Sequence, residues 1–190
     1  SFDHLIPQQT IQKFYGKLNN LHPSPLPQYR NVSPVQYAIA LGDNQTGITL
    51  FRISPTIDDG EIISQVSEPI RPDDTTPTLT TRLFTLGADL FLEHLNTPGV
   101  KGAPHSRSVV PLGAPLIFTH RLTRASGYIE WPVLHNLLAN QPISPSETKN
   151  ELLILRLNKI KSPGLEFGAW NLVLSDLVRS LYPWSGVWSL

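Results

Sequence analysis

Apolar positions along this chain come in short blocks parted by proline-rich and polar breaks, and the period of those blocks changes along its length. Thr10 to Tyr15 reads as a short helix and Lys17 to His22 as a strand. Successive strand side chains alternate faces, so Asn20 and His22 share one face while Leu21 points into the layer behind. The run Pro23-Ser24-Pro25-Leu26-Pro27 cannot continue a central strand, because proline lacks the ladder donor, and the strand must end at His22. Ser33, Pro34 and Gln36 form a helix start, with serine as N-cap, proline in the first turn and glutamine in the capping-box position. Gly42 supplies the stop, which predicts a helix over 34–41. Thr46 to Ile53 and Glu61 to Val66 carry strand patterns around a loop from Ser54 to Gly60, placing Asp58 on a connection rather than in a core. A long helix begins near Thr76-Pro77, with Leu79, Leu83, Leu86 and Leu90 marking its buried face. That stripe reads as core, not as a cofactor box.

Beyond the long helix the pattern weakens. From Pro98 to Pro115 glycine, proline and serine rise and periodicity vanishes, so a domain boundary is placed there. Residues 141–150 are polar and proline-rich, and Glu151 to Leu157 fits either an edge strand or a short helix. Leu174, Leu177, Val178 and Leu181 repeat at helical spacing, predicting an amphipathic helix over Trp170 to Tyr182 that Pro183 ends. A chain of 190 residues can bury one sizeable core. It has 15 basic and 15 acidic side chains, so no global field draws it to nucleic acid, and a polyanion contact must come from a local patch. The absence of cysteine excludes a thiol nucleophile, thiolate zinc and a disulfide framework. No stretch approaches the roughly 20 apolar residues of a membrane span, and no partner membrane is expected. Methionine is absent even at position 1, from which a fragment or a shortened relative is expected.

Candidate chemistry centres on Asn20-Leu21-His22. An amide and an imidazole delivered to one side of a strand end sit where α/β enzymes build their sites, and such a pair can perform acyl transfer. A single histidine beside a loop is more often a surface or core residue, so the pair needs support. Support comes from Gly42-Asp43-Asn44-Gln45-Thr46-Gly47-Ile48-Thr49 and from Thr56-Ile57-Asp58-Asp59-Gly60, which supply a carboxylate.

Together these stretches resemble the folate-dependent formyltransferase family. Its pattern of Asn-x-His-x-Ser-Leu-Leu-Pro, Tyr/Trp-Arg-Gly, Pro-x-Gln, Gly-Asp-x-x-Thr-Gly-Val-Thr and Asp-x-Gly is met by Asn20, His22, Ser24, Leu26 and Pro27, by Tyr29-Arg30, Pro34 and Gln36, by Gly42-Asp43, Thr46-Gly47 and Thr49, and by Asp58 with Gly60. The matches run in order over about the first hundred residues. Thr119 to Trp131 looks like the linker of the methionyl-tRNA formyltransferase subfamily, and Arg179 to Trp188 is similar to the Arg-x-x-x-Pro-Trp-Pro-Gly-Ala-Trp that opens its C-terminal barrel. Two departures stand out: Ser24-Pro25-Leu26-Pro27 replaces Ser-Leu-Leu-Pro, and Asn31-Val32 replaces Gly-Ala.

The resemblance implies an α/β fold with an open, Rossmann-like sheet, of which residues 1–97 are the C-terminal half. A linker over 98–132 and a truncated second region over 133–190, with an insertion over 133–170, complete the expected organisation. It implies a one-carbon transferase that moves the formyl group of 10-formyltetrahydrofolate to the amino group of initiator methionyl-tRNA in translation initiation, located in a mitochondrion or, alternatively, a bacterial cytoplasm. Asn20, His22 and Asp58 are the implied catalytic residues. Ser24, Pro25, Leu26 and Pro27 are the implied folate-contacting residues, and no metal is implied. Attack of an amine on the formyl carbon gives an anionic oxygen and a surplus proton. Asn20 and His22 can donate to the oxygen, and Asp58 can favour protonated His22 or accept the proton through a water. The alternative is a formyltransferase-like binding or assembly module without catalysis. His94, His105, His120 and His135 lack the spacing of a metal site and read as surface residues. Ser24 lacks a nucleophile elbow. Arg121 and Arg124 are weak candidates for an RNA backbone, and Trp170, Trp184 and Trp188 read as packing.

Overall fold

The computed structural model describes residues 6–96, 116–160, 170–183 and 187. In chain order they form α1 (Gln8–Lys13), β1 (Asn19–His22), β2 (Arg30–Asn31), α2 (Pro34–Ala40), β3 (Gln45–Arg52), β4 (Ile62–Pro69), α3 (Thr76–Asn96), β5 (Phe118–Thr119), α4 (Trp131–Leu138), α5 (Glu151–Ile160) and α6 (Trp170–Leu181). The proline run ends β1 at His22 as its missing donors require. Contacts gather these elements into two compact units. One holds α1, all five strands and most of α3; the other holds α2, the first turn of α3 and α4 to α6. The expected α/β class and open sheet are what the chain forms. The expected boundary over 98–115 and residues His105, Trp184 and Trp188 lie outside the described residues.

In the first unit an open sheet has the order β1-β3-β4. β1 runs antiparallel to β3, with His22 opposite Thr49. β3 and β4 form a hairpin: the Arg52 N–H donates to the Glu61 carbonyl at 2.9 Å, and Gly47 lies against Val66. Two motif glycines are explained by close approach. A Cβ at Gly47 would stand 2.4 Å from the Val66 carbonyl oxygen, and one at Gly60 would stand 1.6 Å from that of Arg52. The central strand is buried from Thr46 to Phe51 without alternation, as a strand covered on both faces should be. The stripe on α3 differs from expectation at one position. Leu79, Leu83 and Leu90 are buried, but Leu86 is only half-buried and Gly87 takes the close seat. A Cβ there would come within 2.6 Å of Ile48 and 3.3 Å of Leu21, so a missing side chain lets the helix approach the sheet. β2 and β5 pair in parallel as a separate two-stranded ladder.

In the second unit α2 ends at Gly42 as predicted, at φ 61°, with the N–H groups of Gly42 and Asp43 bonded to Ile39 and Ala38. Its start departs from prediction: Ser33 has φ 67°, a left-handed backbone rather than the extended one of a serine N-cap. Between strand and helix at Glu151 to Leu157, helix wins. Asn150 accounts for it, accepting from the Leu153 N–H at 3.0 Å and donating to the Ser126 and Tyr128 carbonyls. On α6 the buried face is Val173, Leu177 and Leu181, with Val178 exposed. This turns the predicted stripe by one position and brings Asp176 between Arg156 at 3.2 Å and Arg179 at 2.5 Å. No described helix is long and apolar enough to cross a membrane.

Candidate active site

His22 and Asp58, far apart in sequence, meet in space. The strand exit buries His22 to 5 % exposure and sets its Nδ1 at 3.5 Å from Asp58 Oδ2. On the other side of the ring, Nε2 lies 2.8 Å from the Tyr29 carbonyl oxygen. A carbonyl only accepts, so Nε2 carries the hydrogen and Nδ1 faces the carboxylate. Burial pushes the His22 pKa below its usual 6.5, outweighing Asp58 and the Tyr29 carbonyl, which both raise it. The neutral ring is therefore favoured more than charge pairing alone suggests. With both nitrogens facing protein groups, His22 gives an incoming oxygen no ready N–H in this geometry. This departs from the expectation that it donates beside Asn20.

Asp58 sits at φ 48° on the loop between β3 and β4, its Oδ2 accepting from the Asn31 N–H at 2.8 Å. Asn31 itself has φ 82°. The family's glycine at this position is thus replaced by the residue type that best tolerates the same left-handed backbone. Next to them Arg30 forms an ion pair with Asp59. Asn20 is exposed on the face it shares with His22.

The loop over 23–27 turns its polar backbone inward. Thr49 Oγ1 donates to the Ser24 carbonyl at 2.7 Å and accepts from the Leu26 N–H at 3.1 Å. Gln65 Nε2 donates both to Thr49 Oγ1 at 2.7 Å and to the Leu26 carbonyl at 3.0 Å. Ser24 is fully buried, and its hydroxyl donates to the Gln28 carbonyl at 2.6 Å. Pro25 and Pro27 remain partly exposed, while Ser24 and Leu26 are buried.

Sequence reasoning missed the Tyr29 carbonyl, the Asn31 N–H and Gln65. The first two are main-chain groups with no residue signature, and Gln65 shows only as a polar residue among strand apolars. Among the described residues no group of three His, Asp or Glu side chains could hold a metal ion.

A family profile described as formyl transferase matches residues 1–95, half of the chain. A methionyl-tRNA formyltransferase of Roseiflexus sp. (strain RS-1) is 42% identical over 118 residues, covering 59% of this chain and 34% of the relative. One of Methylococcus capsulatus is 32% identical over 143 residues, 73% of this chain and 46% of the relative. The chain thus spans between a third and a half of the length of these curated relatives. A crystal structure of an N-formyltransferase from Helicobacter canadensis, in complex with folinic acid and dTDP-3-aminofucose, has a similar fold. Its TM-score is 0.52 at 23% identity, covering 84% of this chain and 52% of that one. With the profile match spanning the residues that bring His22 and Asp58 together, the chain belongs to the formyl transferase family.

Proposed function

We propose that the protein carrying this chain transfers the formyl group of 10-formyltetrahydrofolate to the amino group of initiator methionyl-tRNA. The observation that carries the reading is the His22–Asp58 pair at 3.5 Å, set at a strand exit with the Asn20 amide exposed on the same face. In this reading Asn20 donates to the oxyanion that forms when the amine attacks the formyl carbon. The proton lost by the amine nitrogen passes, through a water, to the His22 Nδ1 and Asp58 Oδ2 pair, where it converts a neutral imidazole beside a carboxylate into an ion pair; collapse of the tetrahedral centre then breaks the bond between the formyl carbon and the folate nitrogen, which takes the proton as tetrahydrofolate leaves. A ring kept neutral by burial is the state ready to receive that proton. The folate lies against the ring faces of Pro25 and Pro27 and the loop from Ile57 to Gly60, with Ser24 and Leu26 supporting the loop from within. The identities of the relatives support the tRNA acceptor, as does the resemblance of Arg124 to Trp131 to that subfamily's linker. The reading carries with it a mitochondrial location, or else a bacterial cytoplasm.

The test is a transfer assay on the complete gene product, with 10-formyltetrahydrofolate as donor and charged initiator tRNA, glycinamide ribonucleotide and an amino-sugar nucleotide in parallel. Formylation of the tRNA is expected. Formylation of a small amine alone refutes the acceptor, and transfer to none of them favours a non-catalytic binding module.

A further inference from the structure

Of three consecutive residues, the outer two bond the members of the acid–base pair and the middle one holds the neighbour of Asp58. The Tyr29 carbonyl accepts from His22 Nε2 at 2.8 Å, the Arg30 guanidinium pairs with Asp59, and the Asn31 N–H donates to Asp58 Oδ2 at 2.8 Å. The backbones of Tyr29, Asn31 and Asp58 have φ of 55°, 82° and 48°, a region that residues other than glycine keep only when their surroundings hold them there. This stretch is itself held from β5. Asn31 and Arg30 pair with Thr119 and Phe118, Thr119 Oγ1 donates to the Arg30 carbonyl at 2.7 Å, and the Phe118 ring lies 5.9 Å from the guanidinium carbon. Thr119 is fully buried. Arg30 Nε is buried without a hydrogen-bond partner, so the guanidinium is kept in place although one of its donors is left unmet.

We propose that Arg30, clamped between Asp59 and strand β5, is a positioning residue that sets where the Asp58 carboxylate stands against His22. Strand β5, which follows the site by a long stretch of chain, is thereby part of the site's construction. The inference rests on reading His22 and Asp58 as the proton-accepting pair. A merely structural role predicts something different: a partly exposed ion pair contributes little to stability, and its loss should not lower the imidazole's titration.

The two roles separate by sign. Asp58 raises the His22 pKa, so letting it drift away lowers that pKa, whereas simply deleting the positive charge of Arg30 raises it. The imidazole titration of His22 is followed by NMR in the parent chain and in Arg30→Gln, Arg30→Lys, Thr119→Val and Asp58→Asn, alone and combined. Arg30→Gln and charge-neutral Thr119→Val should each shift the titration to lower pH, by less than Asp58→Asn does, with Arg30→Lys between Arg30→Gln and the parent. In the Asp58→Asn background neither should lower it further, because a residue acting through Asp58 has nothing left to act on. An unmoved or raised titration in Arg30→Gln and Thr119→Val overturns the proposal, as does an equal fall in both backgrounds. Should Arg30→Gln fail to fold, Thr119→Val and Asp59→Asn carry the same cycle. Formyl transfer is scored separately. Shifted titrations without any transfer remove the proposed function and leave the positioning role, while transfer with unmoved titrations removes the positioning role alone.

Discussion

Asp58 lies on a loop, its side chain 14% exposed and bonded by the Asn31 N–H, so its carboxylate is expected to matter more to chemistry than to folding. Changing Asp58 to Asn keeps the shape and the acceptor for Asn31 while removing the charge beside His22. Formyl transfer should fall by roughly 10²–10⁴-fold, the contribution of a positioned acid or base, with the melting temperature nearly unchanged. Asn20→Ala and His22→Ala should combine with it less than multiplicatively, since groups serving one transition state fail together. Losses that multiply independently would count against a shared site. The buried imidazole has its own signature. Its folded pKa lies below 6.5, so below that pH the unfolded chain binds a proton that the folded one resists. Stability should fall as pH drops through 6.5 and level off once the folded pKa is passed. Melting curves across this window should show the slope in the parent and lose it in His22→Gln.

At the scale of elements, the proline loop owes its shape to β3 and β4. Thr49 is a three-way junction between the Ser24 carbonyl, the Leu26 N–H and the Gln65 amide. Thr49→Val keeps the volume but leaves these buried groups short of a partner, and should destabilise by about 1–3 kcal/mol, read as a lower denaturant midpoint with unchanged m. No loss would mean that the loop is held by other contacts. The elements also show where pattern suffices. Helix α3 begins where Thr76-Pro77 predicts, and α2 stops at Gly42 because the left-handed turn needs a glycine. Where the pattern erred, a specific contact intervened: Gly87 in place of Leu86 beneath α3, and on α6 the buried Asp176 paired with Arg156 of α5 and with Arg179 one turn on.

At the largest scale, the first unit leaves a strand edge beside exposed aromatic side chains among its described residues. β1 lies at the edge of its sheet, beside a cavity of about 280 Å³ lined by Asn19, Asn20, Leu21, Leu50, Phe84 and Phe91. Phe84 and Phe91 are 44% and 37% exposed. An open strand edge next to exposed aromatics invites association, so the 190-residue chain should bind a hydrophobic dye or self-associate in sedimentation. Phe84→Ser with Phe91→Ser should reduce both without lowering stability. A monomeric, dye-free parent would show that this face is covered. The sequence by itself determined the family, the class of fold, the strand exit at His22, the loop that carries Asp58 and most helix positions. These depend on local period, proline and glycine chemistry, and motif order, all of which act between neighbours in the chain. Only the tertiary structure decided that the His22 ring is tied to the Tyr29 carbonyl, that burial outweighs Asp58 in setting its charge, that Arg30 is held by Phe118 and Thr119, and that Gly60 and Gly47 are sterically required. Main-chain carbonyls and N–H groups have the same identity at every residue, and desolvation depends on what the rest of the chain stacks around a side chain, so neither can be read from residue type and spacing.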